Sequence, residues 1–247
     1  REQDFKRIQN SFDIGNVIAE AAAKMTDTSV TRRIIGTAAP RHFNRPIAEA
    51  AYANIQAVGL PKWTPEEQAF AKVVQKNAKA EKQEGLAVEL KKLEPPVEEP
   101  KSGGSDDIGD VSWTVPTITI RYPSNIPDLP GHNWTDAIAM ATPIAHKGVV
   151  AGAKVIAMTT LDLLVDANLR KAARDYFTDV QTKDQKYLPM IGSADKPAIE
   201  INAEIMARYK PELSKYYYDP VRYPTYLDQL GIQFPMLEEP MGTGDGK

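Results

Sequence analysis

The sequence predicts an α/β protein, on three observations. Apolar residues recur at helical spacing in several stretches, short alternating or apolar runs between them read as strands, and one long apolar helix carries small residues that would let it lie close against a sheet. The first segment is helical because Phe5, Ile8, Phe12, Gly15 and Ile18 return every three or four residues. Thr26-Asp27-Thr28 stops it. Ser29 to Ile35 then alternates, with Val30, Arg32 and Ile34 on one face, as a half-exposed strand does. Pro40-Arg41-His42-Phe43-Asn44-Arg45-Pro46 is a rigid turn, after which Ile47, Ala50, Ala51, Ile55 and Val58 mark a second helix ended by Gly59. Helix, strand, turn, helix is about what one half of a small open α/β sandwich supplies.

Thr64-Pro65-Glu66-Glu67 opens a third helix: Thr64 caps it, Pro65 suits its first position and Glu67 completes a capping box. Phe70, Val73, Val74 and Ala78 form its buried stripe. Residues 77–101, rich in Lys, Glu and Pro, read as a solvated helix end followed by an exposed linker. A short apolar strand follows at Val115 to Ile120, and a loop with Pro-flanked turns leads to Gly131-His132-Asn133-Trp134. Beyond Ala145-His146-Lys147-Gly148 runs the apolar helix, Val149 to Leu164, with Gly148, Ala151, Gly152 and Ala153 as its small residues. Asp166 begins another helix, with Leu169, Ala172, Ala173, Tyr176 and Phe177 on one face. The final stretch sets Tyr216-Tyr217-Tyr218, Tyr223 and Tyr226 among prolines, so one helix near Ile199 to Tyr209 is expected, then extended chain lying on a surface.

The chain has 247 residues, room for one large domain or two smaller ones. A net charge of −3 without a Lys/Arg cluster argues against a nucleic-acid partner. The absence of cysteine removes disulfides, thiolate ligands and cysteine nucleophiles. No apolar run in the sequence reaches the roughly 20 residues that cross a bilayer, so no membrane partner is expected. The opening Arg1-Glu2-Gln3-Asp4 has neither an initiator Met nor a signal sequence, and is expected to be a processing point or the interior of a longer protein.

Only three histidines occur, His42, His132 and His146; a hydrolytic metal site needs three or more protein donors from His, Asp and Glu, and a two-metal site needs more, including a bridging carboxylate. No His-x-Asp, His-x-x-His or His-Glu-x-x-His pattern occurs, and Glu66-Glu67, Glu98-Glu99 and Glu238-Glu239 read as capping, linker and tail. The informative segment is 103–148. Two glycines before Ser105 and Asp107 make a tight turn of the kind that brings backbone N–H groups to a ligand. His132, in a loop between turn residues and an aromatic, is either a functional residue or a hydrogen-bonded surface histidine.

Three motifs carry a resemblance: Gly104-Ser105-Asp106-Asp107-Ile108-Gly109-Asp110-Val111-Ser112-Trp113 with Pro116-Thr117, Ala145-His146-Lys147-Gly148 with its helix into Leu161-Asp162-Leu163-Leu164, and Pro40 to Pro46. Over roughly residues 1–180 the chain resembles the aminoacylase and carboxypeptidase-G-like family of co-catalytic metallopeptidases, in particular its p-aminobenzoyl-glutamate hydrolases. The resemblance implies that residues 1–58 are the second half of a ferredoxin-like lid and dimerisation domain, and 59–180 the second half of a zinc-peptidase-like α/β catalytic domain. Residues 181–247 form a Tyr/Pro-rich extension.

It further implies two divalent metal ions, Zn or Mn, with a bridging Asp, an activated water, a Glu-Glu pair and a last histidine ligand. That ligand falls on His132, where Gly-His-Asn-Trp stands for the family's Leu-His-Thr-Trp. His146 would be structural or pack against the site. His42 with Asn44 would touch substrate or serve the turn, and Gly104, Ser105 and Asp107 would shape a substrate-facing turn or contact substrate directly. Asp106 stands where relatives have Thr.

The family's first His-x-Asp, bridging Asp and Glu-Glu base precede the lid, and nothing here matches them. The expected function is therefore a subunit or fragment of an amidohydrolase cleaving N-acyl or N-aroyl amino acids of the p-aminobenzoyl-glutamate type, with no catalytic base of its own. Its expected partners are the N-terminal half as a separate chain that shares the metals, a second copy of that pair, and a small-molecule substrate. The alternative is a non-catalytic interaction subunit that retains the fold.

Overall fold

The computed structural model describes residues 4–95, 106–192 and 194–233, and among these there are helices and irregular chain but no strand. The α/β expectation, with its ferredoxin-like lid half and zinc-peptidase-like catalytic half, is thereby corrected. A strand exists through ladder bonds to a neighbour. Ser29 to Ile35 and Val115 to Ile120 run without regular structure. The backbone bond at the second of them, from the Asn44 N–H to Thr117 O at 2.9 Å, joins it to a turn. Alternation at Ser29 to Ile35 reports extended chain, which is not by itself a sheet.

The helices follow the sequence more closely. The described α-helices are α1 (Phe5–Met25), α2 (Arg45–Val58), α3 (Pro65–Asn77), α4 (Ile108–Ser112), α5 (Trp134–Ile138), α6 (Pro143–Val165), α7 (Ala167–Tyr176), α8 (Ala203–Leu213) and α9 (Tyr226–Leu230). Side chains that satisfy the first free amides fix several starts. Asp4 accepts from Arg7 N, Asp166 from Asn168 N and Leu169 N, and Thr64 and Glu67 form the full capping box of α3. At the other end of the chain Thr225 and Asp228 form a second box for α9, which Gly231 ends in the left-handed conformation.

The chain divides into two compact units, each drawn from three stretches. The described residues of Arg1–Ala50, Leu93–Thr119 and Leu161–Ala207 form one; those of Ala51–Lys92, Ile120–Thr160 and Arg208–Lys247 form the other. In the first, Phe5 is the buried residue of α1, its ring edge-on to Trp113 at 5.0 Å. The rest of α1 leaves Ile14, Val17, Ile18 and Met25 exposed. Gly109 in α4 lies so close to Ala39 O that a Cβ there would stand 1.9 Å from it. Asp110 accepts from Ala39 N at 3.1 Å and from the Tyr187 hydroxyl at 2.8 Å. After α7 the chain widens into a π-helical turn, Phe177–Gln181, closed by the buried Thr182, whose N–H and hydroxyl both donate to Phe177 O.

In the second unit Ala71, Val74, Leu86, Ile126, Ala139 and Ile144 make a core, with Trp63, Phe70, Leu129 and Ile138 packed on it. The small-residue face of α6 serves the close approach the sequence suggests, against chain where a sheet was expected. A Cβ on Gly148 would meet Pro123 O at 2.3 Å, and Gly152 lies against Tyr122. That face, Ile144, Ala145, Gly148, Ala151, Gly152, Val155 and Thr159, is buried. Outside that face Val149, Val150 and Ile156 are exposed, with the polar His146, Lys154 and Thr160 among them; Leu161, Leu164 and Val165, at the helix end that belongs to the first unit, are exposed too. At 23 residues, with an 18-residue window of mean hydropathy 1.7, α6 is long and apolar enough to cross a membrane by length and composition alone.

Candidate functional site

His132 sits where a loop hands over to α5. Gln75, fully buried, donates to Pro127 O at 3.0 Å, and Ile126 is buried beside it, so the incoming chain is anchored. Asn133 caps α5 by accepting from Thr135 N, and buried Thr135 donates to Pro130 O. Between these fixed points His132 takes a φ of +56°, the left-handed region that L-residues enter at a cost of about 1–2 kcal/mol. Its backbone N–H donates to Asp136 Oδ2 at 3.0 Å, and Asp136 Oδ1 accepts from Asn125 Nδ2 at 3.4 Å. The side chain is exposed. Gly131, His132, Asn133, Asp136, Ala137 and Met140 line an open depression of about 540 Å³, and Trp134 beside it is 73% exposed.

Asp27, Lys79 and Asp128, also exposed, share this left-handed backbone, so the conformation by itself does not single out His132. The imidazole is presented, while the Asp136 carboxylate is spent holding the loop. Among the described residues no three His, Asp or Glu side chains come together to hold a metal ion. The described residues therefore bring no metal-holding cluster together, and a two-metal site needs several more donors than a single histidine.

His146 is exposed near the start of α6. In the same motif the neighbouring Lys147 makes the specific contacts, donating to Glu67 Oε2 at 2.8 Å and Lys62 O at 3.1 Å. Glu67, only 4% exposed, thus closes the capping box and takes the charge of α6's lysine at once. Sequence reading missed Lys147; its signal was a cation inside a motif whose partner Glu67 was already legible.

His42, Asn44 and Asp107 belong to the other unit. Asp107 is exposed and makes no capping bond; its neighbour Asp106 does the local work, accepting from Ile108 N and pairing with Arg41 at 3.5 Å. Gly104 and Ser105 lie outside the described residues. Asn44 is fully buried. Its Nδ2 donates to Ala173 O and to Gln181 Oε1, each at 2.9 Å, and its Oδ1 accepts from Ile47 N at 3.3 Å. Gln181 Nε2 in turn meets His42 Nδ1. The His42 ring lies edge-on to Trp113 with centroids 4.3 Å apart, and burial lowers its pKa to about 4. Gln181 is a functional candidate no sequence signal announced: it stands 139 residues from His42 and arrives by way of the π-helical turn.

The chain is 27% identical over 212 residues to one subunit of the p-aminobenzoyl-glutamate hydrolase of Escherichia coli strain K12, an alignment covering 77% of this chain and 44% of that protein. It thus spans less than half of the relative's length. No protein-family profile matches the chain, and no solved structure does. The protein is a distant relative of that hydrolase subunit.

Proposed function

We propose that this chain is one component of a hydrolase that cleaves the amide bond of N-acyl or N-aroyl amino acids of the p-aminobenzoyl-glutamate type. The observation that carries the reading is His132: strained, exposed and held at the lip of a depression, within a chain distantly related to a hydrolase subunit. His132 would give one donor to a site of two divalent ions, Zn or Mn, whose remaining donors and general base come from outside this chain. Such ions, when bound, lower the pKa of a coordinated water and polarise the scissile carbonyl. The chain's own residues supply position. Asn133 and Thr135 fix the start of α5, Asp136 restrains the His132 backbone, and the depression beside it gives an acyl or aroyl group a place to lie.

A partner chain is part of this reading. The relative is by name one subunit of its hydrolase, and this chain matches 44% of it. The exposed apolar residues of α6, among them Val149, Val150 and Ile156, would give such a partner surface to cover. The companion would be the half of the enzyme not matched here, and the pair would associate with a second copy of itself. A non-catalytic interaction subunit is the second reading, favoured by the lack of any three-ligand cluster among the described residues. Co-purification from the natural source, followed by metal analysis and assay of p-aminobenzoyl-glutamate cleavage, separates the two. The hydrolase reading expects His132→Ala to abolish cleavage and lower bound metal while the complex stays assembled. Unchanged metal content and cleavage would remove it.

A further inference from the structure

The polar chain around His42 fixes which of its nitrogens carries the proton. Ile47 N–H is only a donor and Ala173 C=O only an acceptor, so the two backbone groups set the Asn44 amide without ambiguity: Oδ1 toward Ile47, Nδ2 toward Ala173. Asn44 Nδ2 then donates to Gln181 Oε1, which turns Gln181 Nε2, a donor, onto His42 Nδ1. Nδ1 must accept. The proton of a neutral ring is therefore on Nε2.

That Nε2–H is buried and has no hydrogen-bond partner, the one buried side-chain nitrogen or oxygen among the described residues left so. A donor in this state costs about 1–3 kcal/mol. The edge-on Trp113 ring, 4.3 Å away between centroids, offers a weak N–H···π contact at most. The turn that delivers Gln181 is π-helical, a rare form frequent at functional sites. One buried amide, one half-buried amide and an unusual turn thus serve to hold one imidazole with an idle donor.

We propose that Asn44 and Gln181 are positioning residues that hold His42 as the Nε2–H tautomer, and that this N–H is kept for an oxygen acceptor of a small ligand, a carboxylate or an amide carbonyl. Trp113 lies edge-on to the His42 ring, so binding at Nε2 reports in its emission in a chain whose Trp63 and Trp134 are replaced by Phe. The assignment lies within one unit and does not depend on the hydrolase reading, because its readouts are a tautomer and binding.

The test uses the whole chain labelled with ¹⁵N at histidine, with benzoate and benzamide as probes of the two acceptor types. Wild type is expected to show a protonated Nε2 and an unprotonated Nδ1 at His42, and one or both probes should shift the Nε2 resonance and Trp113 fluorescence. A response to benzoate alone assigns a carboxylate site, to benzamide alone a carbonyl site. Gln181→Glu, which offers Nδ1 an acceptor, should move the proton to Nδ1 and weaken binding about tenfold or more. Gln181→Met should give mixed tautomers with the same loss. His42→Phe should abolish the response. A wild-type proton on Nδ1 overturns the positioning, as does a Gln181→Glu protein that keeps its proton on Nε2. Saturating benzoate and benzamide that leave His42 and Trp113 unmoved overturn the acceptor site.

Discussion

The two units handle buried polar groups differently. In the unit built on α3 and the first part of α6, Glu67 and Gln75 are buried and matched, and the result is a rigid approach to an exposed histidine. In the unit holding α4 and α7, the network of Asn44, Gln181 and His42 ends on a buried donor with nothing to bind. One unit presents its imidazole; the other stores one. A fully satisfied polar network specifies a structure, whereas one left short by a single bond keeps a donor for the ligand proposed above.

The largest effects should come from the close approaches that each unit cannot yield. Gly109→Ala places a Cβ 1.9 Å from Ala39 O, and Gly148→Ala one 2.3 Å from Pro123 O, both against backbone. Each should cost about 3 kcal/mol or more in denaturant unfolding. If the units unfold separately, each substitution should shift a different transition. Asn44→Ala comes next: it leaves Ile47 N without its acceptor, takes one donor each from Ala173 O and Gln181 Oε1, and empties a fully buried position, and should cost about 2–3 kcal/mol.

Acid should separate the units without mutation. His42 titrates near 4 in the folded chain because burial disfavours its charge, against an ordinary 6.5. Between those values the unfolded chain binds the extra proton, so stability falls as pH drops from 6.5 toward 4. The loss should be roughly 1–3 kcal/mol after allowing for partial solvent screening, and His42→Phe should remove it. Unfolding measured across that range by Trp113 fluorescence checks the slope.

How much of this was legible in the sequence depended on range. The α3 capping box, the Asp166 cap and the long α6 are written in residues three or four apart, where local rules act. The small residues of α6 correctly announced a close neighbour, but not that Tyr122, Pro123 and Ser124 would be that neighbour in place of a sheet. Ser29 to Ile35 has a strand's alternation and lacks regular structure, since pairing depends on distant chain that no local pattern reports. His132 stood out by its motif, but its left-handed backbone and its restraint by Asp136 did not. Gln181 was invisible, because a glutamine at the end of a π-helical turn looks like any other until His42 is found beside it.

The smallest energetic effect carries the most information. Glycine enters the left-handed region freely, so His132→Gly should stabilise the chain by about 0.5–1 kcal/mol. In the assembled protein with its companion chain, the same substitution should lower p-aminobenzoyl-glutamate hydrolysis by more than the roughly 10- to 100-fold that outer-shell changes at metal sites cause. Greater stability joined to lost hydrolysis is the predicted result. A His132→Gly assembly that hydrolyses the substrate at the original rate would contradict the account.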